Sequence, residues 1–160
     1  MTKNATKFDL DTIGAGLPVH AQLATIRDAG SVVVQAPPGT GKTTLIPPLI
    51  SNEVSEIVGK VVVTAPRRVA VRAAASRLAS LDGSVVGDRV GYTIRGDAQP
   101  GRLVEFVTLK VLIRRLLRDP ELAGVGAIII DEVHERQLDG DLLLGMVAEL
   151  AVLRPELRVV

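Results

Sequence analysis

Two short stretches carry residue types that can do chemistry together. APPGTGKTT, residues 36–44, follows a β-branched run and leads into a helical pattern, and IIIDE, residues 128–132, ends an apolar run in two adjacent carboxylates. A strand, a glycine-containing loop and a helix opening in Gly-Lys-Thr form an architecture that holds nucleotide phosphates. Gly39 and Gly41 permit a tight turn that brings backbone N–H groups to phosphate oxygens, and the helix beginning near Lys42 adds its positive dipole end. Pro38, Gly39, Thr40, Gly41, Lys42, Thr43 and Thr44 are therefore the expected phosphate-binding residues. Lys42 can then reach the β- and γ-phosphates, and the Thr43 hydroxyl can ligate Mg²⁺. The loop departs from the GxxxxGK[ST] pattern at its first glycine, which is Ala36, and Pro37-Pro38 stiffen its approach.

The carboxylates fit the same chemistry. A strand entering a dry core stays apolar until its C-terminal end, where ligands bind in open α/β sheets. Asp131 is expected there as a second Mg²⁺ ligand, and Glu132 as the base that orients and deprotonates the water attacking the γ-phosphate. The bland alternative is a strand that finishes in acids at a solvated turn. The Gly-Lys-Thr loop upstream weighs against it.

These residues require an α/β scaffold. Residues 31–36, 60–65, 104–108, 127–131 and 157–160 read as strands, and 42–51, 67–81, 109–117 and 139–153 as helices, with Gly83 and Pro120 marking helix ends. Strands apolar on both faces belong in a mostly parallel sheet covered by helices on both faces. The 160 residues form one domain by length. The sequence stops at Arg158-Val159-Val160 inside an apolar run, which predicts that the natural domain continues.

Composition excludes several alternatives. With 47% hydrophobic and 23% charged residues the chain is globular, and a net charge of +1 means that any polyanion site is local. No cysteine is present, which removes disulfides and thiolate metal sites. Aromatic residues make up 2%, too few for a base-stacking platform. The first sixteen residues lack a signal-peptide core and no apolar run reaches membrane length, so a cytoplasmic protein with no membrane partner is expected.

At Asp131-Glu132-Val133-His134 the chain resembles the DEAH-box helicases of superfamily two, with valine for the usual alanine. GKTTLIPPLI (41–50) is similar to the family's first motif, TAPRRVAVRAAASRL (64–78) to the motif that grips nucleic-acid backbone, and VGYTIRGD (90–97) to the segment after it. DPELAGVGAIIIDEVHER (119–136) looks most like the bacterial HrpB-type members. The resemblance implies a RecA-like P-loop NTPase fold and an ATP-driven motor on single-stranded nucleic acid, RNA ahead of DNA. Residues 1–160 would be most of the first of two RecA-like lobes, stopping before a Ser-Ala-Thr motif; the second lobe would carry arginine fingers. By the same resemblance His134 couples the nucleotide site to that motif and Arg77 stacks on the adenine. Where the family has Thr followed by an acidic residue and Gly, this chain has Thr108-Leu109-Lys110. Thr108 keeps its donor, and the glycine for close approach is gone.

Pro66, Arg67 and Arg68 open a helix at a strand end, where N–H groups and arginines can both meet a nucleic-acid phosphate. Arg114, Arg115 and Arg118 read as a solvated helix face. The competing function is a P-loop switch or assembly ATPase without motor activity; stimulation by nucleic acid separates the two.

Overall fold

The computed structural model describes residues 7–54, 59–135 and 137–160. Residues 1–6, part of the stretch read as lacking a targeting core, and Arg136 of the quoted motif lie outside the described residues. The elements in order are α1 (Leu10–Ile13), a 3₁₀ turn (Pro18–Gln22), α2 (Leu23–Asp28), α3 (Lys42–Val54), β1 (Lys60–Ala65) and α4 (Arg68–Asp82). They continue with β2 (Val90–Ile94), β3 (Asp97–Gln99), β4 (Val104–Thr108), α5 (Leu109–Arg118), β5 (Val125–Ile130), α6 (Leu138–Leu153) and β6 (Arg158–Val159).

The sheet runs β3-β2-β4-β1-β5-β6, parallel throughout except for the antiparallel edge strand β3. Alternate residues of β1 serve opposite cores, as period-two geometry requires. Val61, Val63 and Ala65 join one cluster with Leu45, Leu49, Leu78 and Phe106. Val62 joins the other, with Leu112, Ile128, Leu143 and Val147. Helices α3 and α4 thus cover one face and α5 and α6 the other, as a doubly covered parallel sheet requires. Gly83 ends α4 in the left-handed conformation, φ +69°, a position that favours glycine.

Segment 31–36 departs from the expected strand. It lies beside β6, which offers only two residues, and the Val32 N–H to Val159 carbonyl bond (3.0 Å) is its backbone link to that strand. The Ser31 hydroxyl accepts from the Val159 N–H at 3.0 Å, and Val33 is 93% exposed. β-Branched residues without a ladder partner do not make a strand. Strand β5 ends at Ile130, one residue before the expected bound, so Asp131 stands in the turn beyond it.

The β2–β3 hairpin was not foreseen as strands. Gly91 interrupts the apolar alternation, and the structure needs it: a Cβ there would sit 2.1 Å from the Gln99 carbonyl oxygen and 2.2 Å from the Gly101 nitrogen.

One charged residue lies at the heart of the sheet. Glu105 is fully buried on β4. It accepts from the Arg115 guanidinium at 2.6 and 3.1 Å, from the Thr93 hydroxyl at 2.5 Å and from the Lys60 ammonium. Arg115 therefore departs from the expected solvated face and turns inward, while Arg114 and Arg118 stay exposed.

Candidate nucleotide site and sheet edge

The parallel register levels the strand ends. Ile94, Thr108, Ala65 and Asp131 stand side by side at the C-terminal edge, since Thr93 pairs with Val107 and Thr64 with both Val107 and Ile130. Residues far apart in sequence thus open onto one rim, the crevice where open α/β sheets bind ligands.

The phosphate loop lies against this rim. Gly39 and Gly41 have φ +77° and +93°, the left-handed region that costs glycine least. At Gly41 a Cβ would also meet the Leu17 side chain at 2.7 Å. The Thr40 hydroxyl donates to the Pro37 carbonyl at 2.9 Å, closing the loop on itself. The Lys42 ammonium donates to the Ala36 carbonyl and to that of Pro37 at 3.1 Å, which places it inside the loop. The outer wall is the N-terminal segment: the Val19 N–H donates to the Thr40 carbonyl at 3.1 Å. Beside it opens a cleft of about 420 Å³ lined by Asp11, residues 14–18, His20 and Ala21.

The decisive contact joins the two stretches singled out in the sequence. The Thr43 hydroxyl donates to Asp131 Oδ2 at 2.5 Å, across 88 residues of chain. A hydroxyl and a carboxylate oxygen converge there, the hard donor set that suits a small divalent cation sharing phosphate ligands.

Glu132 follows in an unusual backbone state, φ +57°. A non-glycine residue in this region is held at a cost of roughly 1–3 kcal/mol, and such residues cluster at active sites. Its amide donates to Asp131 Oδ1 at 3.0 Å, and its carbonyl accepts from the Glu135 N–H at 3.0 Å. His134 Nε2 lies 3.0 Å from Glu132 Oε2. The carboxylate is 40% exposed and open to solvent.

Helices α4 and α5 both begin on the rim. Their N-cap residues, Arg67 and Thr108, make no side-chain capping bond, leaving first-turn N–H groups available to an anion. Arg67 and Arg68 are exposed, and Pro66 and Thr108 half-buried. Lys110, at the departure from the family pattern, pairs with Asp139 at 3.6 Å. Arg77 is exposed on α4, and among the described residues no hydrogen bond or ion pair ties it to the phosphate loop.

The family profile described as DEAD/DEAH box helicase matches residues 19–156. The chain belongs to this family. It is 43% identical over 143 residues to the ATP-dependent RNA helicase HrpB of Escherichia coli K12, covering 85% of this chain and 17% of that protein. It is 38% identical over 136 residues to the DExH-box ATP-dependent RNA helicase DExH1 of Arabidopsis thaliana, with coverage of 81% and 14%. The crystal structure of the Escherichia coli DEAH/RHA helicase HrpB matches with a TM-score of 0.81 at 40% identity, over 90% of this chain and 19% of that one. This helicase-family chain spans under a fifth of the length of these relatives. The fold that this chain shares with the HrpB structure is the RecA-like architecture expected from the sequence.

Among the described residues no helix is long and apolar enough to cross a membrane, and no group of three or more His, Cys, Asp or Glu is arranged to hold a metal. The residues that sequence reasoning passed over are Glu105 and the trio Arg72, Tyr92 and Asp97. A glutamate inside an apolar strand was the signal for the first; nothing in the sequence spacing announced the second.

Proposed function

We propose that this chain is the first motor lobe of a nucleic-acid-dependent ATPase of the helicase type, acting with a second RecA-like lobe. The observation that carries the reading is the Thr43–Asp131 hydrogen bond, which brings phosphate loop and strand-end carboxylate to one point. ATP would lie along residues 38–44, with Lys42 exchanging the loop carbonyls it now meets for β- and γ-phosphate oxygens, and Arg77 against the base. Thr43 and Asp131 would hold Mg²⁺, which neutralises developing charge on the phosphates. Glu132 would take the proton of the attacking water, and His134 would hold its carboxylate and link it to the second lobe. Pro66, Arg67, Arg68 and Thr108 would meet the backbone of single-stranded nucleic acid, RNA ahead of DNA. The relatives named as RNA helicases support the RNA preference.

The two-lobe protein should hydrolyse ATP faster with single-stranded RNA, and the stimulation should weaken steeply with salt because the contacts are to phosphates. ATP turnover indifferent to RNA and DNA would favour the non-motor switch instead. This chain alone is expected to bind nucleotide and turn it over poorly, since γ-phosphate charge in the transition state needs cations from the second lobe.

A further inference from the structure

Helix α4 begins without a side-chain cap, so its first turn, which carries the backbone-facing arginines, is prone to fray. One turn further on, Arg72 shares the face of Arg68. Its guanidinium lies 2.5 Å from Asp97 Oδ2, and the Tyr92 hydroxyl donates to the same oxygen at 2.8 Å. The guanidinium also stands 5.8 Å from the centre of the Tyr92 ring, within cation–π range. The hairpin register explains the meeting: Asp97 faces Ile94 across the strands, and Ile94 and Tyr92 lie on the side of the sheet that α4 covers. The Tyr92 hydroxyl first, and Arg72 second, keep the Asp97 carboxyl below its ordinary pKa, so it stays ionised. Arg72 is thereby neutralised, whereas the side chains of Arg67 and Arg68 are exposed and make no hydrogen bond or ion pair among the described residues.

We propose that Arg72, clamped by Asp97 and the Tyr92 ring, is a positioning residue for single-stranded nucleic acid: it fixes the first turn of α4, and with it Arg67 and Arg68, against the β2–β3 hairpin. The inference rests on the reading of residues 66–68 as a phosphate contact. The test is binding of a labelled oligouridine by the full-length protein over a salt series, for wild type, Asp97→Asn, Arg68→Ala and the double variant, each checked folded by its melt. Asp97→Asn should weaken binding about three- to fivefold, the scale of an exposed ion pair. It should also flatten the salt slope and show non-additivity with Arg68→Ala, because Asp97 works through the same contact.

Tighter binding with a steeper slope in Asp97→Asn would make Arg72 itself a phosphate ligand and overturn the proposal. Unchanged affinity, or strict additivity with Arg68→Ala, would overturn it as well by reducing the clamp to a stability feature. Wild-type protein that binds no oligouridine would overturn the phosphate-contact reading together with the inference. If Asp97→Asn does not fold, Tyr92→Phe, which keeps the ring and loses the hydroxyl, runs the same cycle with the same criteria.

Discussion

Replacement of Glu132 by glutamine is expected to lower ATP turnover of the proposed two-lobe protein by about 100-fold, a barrier increase of roughly 2.7 kcal/mol, while nucleotide still binds. Glutamine keeps the size of the side chain but cannot accept the proton of the attacking water. The proposed phosphate-binding groups lie elsewhere, on residues 38–44, and the Thr43–Asp131 contact does not pass through the Glu132 side chain. The loss should therefore fall on turnover with affinity retained. Steady-state hydrolysis beside equilibrium nucleotide binding separates the two quantities. Wild-type turnover in this variant would remove Glu132 from the role of base.

Glu105→Ala should be strongly destabilising, costing about 3–5 kcal/mol, the scale for breaking a buried ion pair from one side. Removing the carboxylate strands two cations, Lys60 and Arg115, whose side chains are only 28% and 29% exposed. Burial pushes the Glu105 carboxyl up, but hydrogen bonds from Arg115, Lys60 and Thr93 outweigh it and hold the pKa at about 2, against an ordinary 4.5. Because the folded value is the lower one, the contribution is present in full above the ordinary value and drains away as pH falls from there toward about 2. Urea melts across that window should show wild type losing stability with acid more steeply than Glu105→Gln. Equal acid sensitivity in the two proteins would mean that Glu105 is not the group whose protonation matters.

The parts of the fold that could be read in advance were those where local pattern and tertiary environment agree. β1 and β4 fall on their expected bounds because Val61–Val63 and, in β4, Val104, Phe106 and Val107 are buried, so a short run dominated by β-branched and aromatic residues is itself the signal, even with Glu105 inside it. α5 was legible from Leu109, Leu112, Ile113 and Leu116 on one stripe. Residues 31–36 misled because Val32, Val33 and Val34 have strand propensity, while strand status depends on a neighbour's length. Gly91 sits inside β2 because a close backbone approach requires it, and that approach has no local sequence signal. Arg115 looked like its exposed neighbours Arg114 and Arg118, and the position of Glu105 on the sheet face beneath α5 distinguishes it.

The site was more legible than the network beneath it. Thr43 and Asp131 were paired by the chemistry they share, and the chain brings them to 2.5 Å. The left-handed backbone of Glu132 had no sequence signal, since its type is ordinary for a turn; its amide bonds the Asp131 carboxylate in that state. The clamp on Arg72 depends on a hairpin register that puts Asp97 opposite Ile94, which spacing along the chain does not reveal.

The most direct test is a thermal melt of this chain by far-UV circular dichroism, with and without saturating Mg-ADP, beside Lys42→Ala. A cooperative melt that nucleotide raises in wild type alone is expected, with about 2.7 kcal/mol of stabilisation at a hundredfold excess over the dissociation constant. A cooperative wild-type melt unmoved by nucleotide, or one raised equally in Lys42→Ala, would contradict the placement of ATP phosphates in the loop at residues 38–44.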